Sequence, residues 1–145
     1  MRRISPADLE ADEQAQGVRV ERGDVLLVRT GHLSVFTADG DRVGYMRMMP
    51  GLGVACAAWL HGREVAAVAS DTNSVEVIPF EDPTTPLPLH LLCLRDIGLT
   101  LGEMFVLDAL ADDCAADGVW EFLFTAPPLR VSGGIGSPLN PLAVK

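Results

Sequence analysis

The sequence predicts an α/β fold, a mixed sheet with packed helices in one domain over residues 1–145, and three observations carry that reading. Two short, β-branched apolar runs, DVLLVRT at residues 24–30 and VAAVAS at residues 65–70, suit buried strands. An Ala-rich segment, residues 52–61, is apolar on nearly all sides and lies between them. Strand, helix, strand over this distance is a crossover unit, which favours parallel pairing of the two strands. With 145 residues, 48% of them hydrophobic and 21% charged, the chain can bury one ordinary core, and no repeat or linker divides it.

The elements follow in order. Ser5 can cap a helix that Pro6 opens, with Asp8 placed to answer the cap and Gly17 to stop it, so a helix is expected over residues 6–16. A turn at residues 21–23 leads into the first strand. Residues 31–51 alternate Gly and Asp with isolated apolar side chains, which reads as a long irregular segment with one weak strand near residues 43–46. Pro50 and Gly51 open the Ala-rich helix and Gly62 closes it. VEVIPF, from Val75, is a short strand that runs into an extended surface loop carrying four prolines, residues 79–88. Residues 89–96 make a buried helix stopped by Gly98, residues 107–116 another stopped by Gly118, and the Gly-interrupted residues 99–104 lie between. The last strands are expected at residues 120–125 and 129–132.

Charge and composition exclude several classes. A formal charge of −9, with the arginines scattered rather than clustered, argues against a nucleic-acid partner. The N-terminus turns acidic directly after two arginines, and no run approaches the roughly 20 apolar residues of a membrane span. A cytoplasmic address without a membrane partner is the expectation. Cys56, Cys93 and Cys114 are odd in number and lack zinc or redox spacing, so they read as reduced core thiols.

His90 stands where the Pro-rich loop enters an apolar helix, a place that can half-bury an imidazole near neutrality, as a general base requires; a helix-start histidine can equally be a cap or a surface group. Glu103 interrupts the apolar run IGLTLGEMFVL, and a carboxylate there calls for a cation, either an arginine or a metal ion. Asp71, Thr72 and Ser74 follow a strand end, where α/β sites gather, although a cap bonding backbone amides explains them as well. GGIGSP, residues 133–138, lacks the Lys and following helix of a phosphate loop. His32 and His61 have no partner histidines at metal spacing.

Five ordered segments carry a resemblance over nearly the whole chain: GDVLLVRTG (23–31), PGLGVACAAWL (50–60), VAAVASDTNSVE (65–76), PLHLLCLRDIGLTLGEMFVLDALA (88–111) and GVWEFLFTAPPLRVSGGIGSPLNPLAV (118–144). Together they resemble the C-terminal half of cyclase-family proteins, the group that contains kynurenine formamidase. The resemblance implies a partial swivelling β/β/α domain and a metal-dependent hydrolase of amide or lactam C–N bonds. Its reference reaction is arylformamidase chemistry, N-formylkynurenine to kynurenine and formate, in tryptophan catabolism; relatives open lactams such as isatin. His90 matches the family histidine at the metal centre that moves a proton, and Glu103 matches the carboxylate of the LGE motif at the metal site. The family's principal metal motif, His-x-Gly-Thr-His-x-Asp, lies upstream of the GDVLLVRTG strand and has no match in residues 1–23, which hold no histidine. The resemblance thus implies a truncated site for zinc or manganese, completed by a separate N-terminal half or in a homo-oligomer. The alternatives are a non-catalytic remnant that binds a small molecule or a partner subunit, and a site rebuilt with His32 across a dimer.

Overall fold

The computed structural model describes residues 2–145. Strand β1 (Arg3–Ile4) leads into helix α1 (Pro6–Gln16), which Ser5 and Asp8 close with a reciprocal capping box and Gly17 ends in a left-handed conformation. These are the bounds the caps predict, because a cap is decided within one turn of chain. Strand β2 (Val25–Val28) follows. Residues 31–51 depart from expectation: they form helices α2 (Leu33–Thr37) and α3 (Arg42–Arg47) instead of an irregular stretch with a strand. The isolated apolar residues serve as anchors here. Tyr45 is fully buried and stacks on His32 with ring centroids 5.1 Å apart, while Asp41 accepts a hydrogen bond from the Gly44 amide at the start of α3.

Strand β3 (Gly51–Leu52) pairs in parallel with β1, so helix α4 (Cys56–Gly62) starts later than its Ala-rich sequence suggests. Strand β4 (Ala67–Ser70) pairs in parallel with β2, in the register Val25–Ala67 to Val28–Ser70, as the crossover predicts. VEVIPF is no regular strand. Val75 has φ 56°, which breaks a β ladder, and the segment makes only single bridges from Glu76 to Leu52 and from Ile78 to Met49.

Residues 79–87 form the expected loop, and helix α5 (Pro88–His90) continues directly as a π-helical turn, residues Leu91–Asp96. Strand β5 (Thr100–Gly102), which the sequence left unassigned, pairs in parallel with β4 and completes a sheet of order β2-β4-β5. Helix α6 (Asp108–Asp117) ends at left-handed Gly118. Strand β6 (Leu123–Thr125) is antiparallel to β7 (Leu142–Val144), not to residues 129–132, which have no regular structure. Two contacts favour that partner: Phe124 stacks near Phe105, and Lys145 at the end of β7 pairs with Asp113 and Asp117 of α6. The α/β class holds, with parallel and antiparallel pairing in separate small sheets.

Leu52, Leu60, Val68, Leu89 and Cys93 are fully buried in the core between the sheet and helices α1, α4 and α5. All three cysteines are buried and free, and burial pushes the Cys56 and Cys93 thiols up to about 11, which makes them unreactive at neutral pH. Among the described residues no helix is long and apolar enough to cross a membrane.

One glycine ties the core to the site. A Cβ on Gly51 would meet the backbone carbonyl of Glu76, with the Val75 oxygen 2.6 Å away. Backbone cannot yield as a side-chain tip does, so Gly51→Ala is expected to cost about 3 kcal/mol in urea unfolding. Gly62→Ala, with nothing within 4 Å, should leave stability unchanged or slightly raised.

Candidate active site

Three segments converge near the C-terminal ends of β4 and β5, the edge where parallel sheets place their sites. The chain leaves β4 through buried Asp71 and Thr72 and turns sharply at Val75, where the Glu76 amide donates to the Ser74 carbonyl. Backbone bonds from the Leu52 amide to the Val75 carbonyl (2.9 Å) and from the Val77 amide to the Leu52 carbonyl (3.1 Å) then clamp Glu76 beside β3. Its side chain is 2% exposed. Across from it, Leu87 in a left-handed conformation turns the Pro-rich loop into α5 and presents His90. Glu103 follows β5. The next residue, Met104, is left-handed as well, and its amide bonds the Thr72 carbonyl at 2.8 Å, while the Phe105 amide bonds the Ser70 carbonyl at 3.0 Å.

The product is a line of three side chains. His90 Nδ1 donates to Glu76 Oε1 at 2.6 Å, and His90 Nε2 donates to Glu103 Oε1 at 3.0 Å. Burial alone would disfavour the imidazolium, but the hydrogen bonds to Glu103 and Glu76, reinforced by their charges, outweigh it and raise the His90 pKa from 6.5 to about 9. At neutral pH His90 in this arrangement holds both protons. A base poised near neutrality, expected from its position in the sequence, gives way to a proton donor, because the sequence does not reveal that two carboxylates flank the ring.

Glu103 also differs from expectation. It is 39% exposed, and its cationic partner is a histidine rather than an arginine. The buried carboxylate of the site is Glu76. Its sequence signal was faint: a lone charge in the run VEVIPF, fourteen positions before His90.

Asp71, Thr72 and Ser74 lie close by but face other ways. Asp71 Oδ1 accepts from the Thr30 amide and hydroxyl, and Oδ2 from the Gly31 amide, so this carboxylate bolts the end of β2 to the end of β4. Thr72 Oγ1 donates to Ser70 Oγ, and Ser74 Oγ donates to the Glu76 carbonyl. Tyr45 OH donates to the Asp71 carbonyl, and burial with the charges of Asp71 and Glu103 raises its pKa. His32 stacks on Tyr45 and donates from Nε2 to the Tyr45 carbonyl, apart from the His90 line.

A divalent ion was the expected cofactor. Glu103 Oε1, and His90 Nε2 once it has lost its proton, are oxygen and nitrogen donors of the kind that zinc or manganese takes. Among the described residues, however, no group of three or more His, Cys, Asp or Glu side chains converges to hold an ion. Two donors fall short of a catalytic metal centre, so these residues alone do not fit one.

Comparison with known proteins identifies relatives of this fold. The cyclase family model matches residues 1–77. Over 98% of its length the chain is similar to the crystal structure of a novel cyclase, with 41% identity and a TM-score of 0.86, covering 46% of that chain. It is also similar to isatin hydrolase A from Ralstonia solanacearum (25% identity, TM-score 0.72, 98% of this chain and 52% of that one). Isatin hydrolase A from Labrenzia aggregata, at 20% identity and a TM-score of 0.71, shares the fold over 98% of this chain and 53% of that one. The chain thus spans about half the length of the solved structures it matches. No curated protein matches it.

Proposed function

This chain belongs to the cyclase family, and from that membership we propose that it carries the proton-donating half of a hydrolase site that cleaves the C–N bond of an amide or lactam. The observation that supports the reading best is the Glu76–His90–Glu103 line at the end of the parallel sheet. Amide hydrolysis adds water to the carbonyl carbon and breaks the C–N bond, and the departing nitrogen must receive a proton. His90 Nε2 carries that proton on the exposed side of the ring, while Glu76 holds Nδ1.

Within this proposal, Glu103 supplies a donor to a zinc or manganese ion and the remaining donors come from outside the described residues, while His90 Nε2, which cannot hold a proton and a metal ion at once, keeps its proton for the leaving group. When bound, such an ion would polarise the substrate carbonyl and lower the pKa of water. The shared fold with isatin hydrolases favours lactams, and arylformamides are the second substrate class. On this reading catalysis needs what the other half of the solved relatives supplies, or a second copy. Large exposed apolar side chains, Val106 at 76% and Leu123 at 69%, are consistent with such a partner. The shortage of metal donors favours one competing reading, a non-catalytic binding remnant.

The test uses the chain alone and mixed with the N-terminal portion of a cyclase-family relative, measuring metal content by elemental analysis and hydrolysis of isatin and of an aryl formamide. Metal should appear only in the mixture and disappear with Glu103→Ala. His90→Gln should lower hydrolysis about 100-fold, the usual scale for losing a general acid. Hydrolysis unchanged in both variants would overturn the assignment, and a mixture that binds metal without hydrolysing either substrate would favour the remnant.

A further inference from the structure

We propose that Glu76 is a positioning residue for His90: it holds the imidazole with Nδ1 turned into the protein, so that only Nε2 can exchange a proton with a substrate. The inference rests on His90 as the proton-moving group of the proposed hydrolase.

The grip of this carboxylate is specific. Glu76 Oε1 accepts from both the backbone amide of His90 (3.2 Å) and its ring Nδ1 (2.6 Å), and Oε2 accepts from the Leu89 amide (3.2 Å). An acceptor that merely capped the helix would need the amides alone. Holding the backbone and the ring of one residue through one oxygen closes a loop that admits a single side-chain orientation. A carboxylate 2% exposed is costly to retain, and this one is compensated by donors on two consecutive residues.

The backbone around it is strained in the same places. Among the described residues four non-glycine ones have positive φ, and three of them sit beside the line: Val75 one residue before Glu76, Leu87 three before His90, and Met104 one after Glu103. For a buried β-branched residue such as Val75 this conformation is a genuine outlier, costing about 1–2 kcal/mol. Strain of this kind persists where the surroundings demand one geometry, and it gathers at functional sites. The π-helical turn that starts directly after His90 is another local departure common at such sites. Gly51 leaves no room for Glu76 to retreat, since its missing Cβ is what lets the two backbones touch. The carboxylate is therefore rigid, and rigidity is what a positioning group supplies.

The test is nitrogen NMR of the imidazoles in the 15N-labelled chain, which needs neither metal nor substrate. Wild type is expected to show a slowly exchanging Nδ1 proton that vanishes in His90→Gln, which assigns it. Glu76→Gln should lose that signal to exchange and bring the His90 ring nitrogens toward those of exposed His61, whereas Glu103→Gln should retain it. A wild type without a protected Nδ1 proton overturns the proposal even if Glu76→Gln fails to fold, and so does a folded Glu76→Gln chain that keeps the signal. In a catalytically competent mixture Glu76→Gln should lower kcat about 10- to 100-fold with KM unchanged. If the NMR signals behave as expected while His90→Gln leaves hydrolysis intact, the hydrolase reading fails and the positioning of the ring stands.

Discussion

Asp71→Ala is expected to lower the free energy of unfolding by about 3–4 kcal/mol, because it strands several donors at once. The Thr30 amide and hydroxyl and the Gly31 amide all point at this carboxylate, which is 2% exposed and cannot be replaced by bulk water without opening the sheet edge. Each partner left unsatisfied costs about 1–3 kcal/mol, and partial access of the Thr30–Gly31 turn to water keeps the total toward the lower end. Asp71→Asn should lose roughly half as much: one oxygen still accepts, but its amide group then faces an N–H donor. Urea unfolding measures the loss, with an unchanged slope marking a true stability effect. Hydrogen exchange at Thr30 and Gly31 should speed up before exchange in β4 does, since the bolt holds the loop more than the strand. A loss under about 1 kcal/mol with unchanged exchange would mean that Tyr45 and α3 hold this edge without Asp71.

The second large effect is pH dependence. His90 has its pKa raised from 6.5 to about 9 in the folded chain, so folding favours the protonated ring. The stabilisation is fully present below pH 6.5 and is lost as pH rises through about 9. The full displacement would correspond to somewhat over 3 kcal/mol, but Glu103 is 39% exposed and its share is screened, so a fall of about 2 kcal/mol is expected. Cys56 and Cys93, raised from 9 to about 11, add a decline of their own above pH 9, so the His90 effect is read below that pH. Thermal or urea unfolding of the chelator-treated chain from pH 6 to pH 9 should show most of the decline, and His90→Gln should flatten it over that range. A wild-type profile as flat as that of His90→Gln would show that the two carboxylates do not hold the imidazolium.

Much of the frame was legible because it is written locally. Ser5, Pro6, Asp8 and Gly17 lie within one short helix and need no distant partner to cap it, and Gly118 stops α6 in the same way. The β2–α4–β4 crossover was legible because a buried parallel strand must be apolar on both faces, which leaves a dense run such as VLLV. His90 and Glu103 stood out through the motifs around them. The two helices between residues 33 and 47 were not legible: their hydrophobic spacing is too sparse for a period, and what folds them is Tyr45 finding His32 and the Asp71 carbonyl.

The sequence by itself determined the α/β class, the ends of α1, the stop of α6 and the parallel pairing of β2 with β4. Only the tertiary structure decided that Glu76 is the buried carboxylate, that Asp71 is a bolt between strands, and that His90 lies between two acids and so carries a proton rather than awaiting one. The reason is distance along the chain. A cap or a buried strand is specified by its own few residues, whereas Glu76 and His90 are fourteen positions apart, and they meet only when a strained turn, a strand pairing and a missing Cβ at Gly51 bring both to one edge of the sheet.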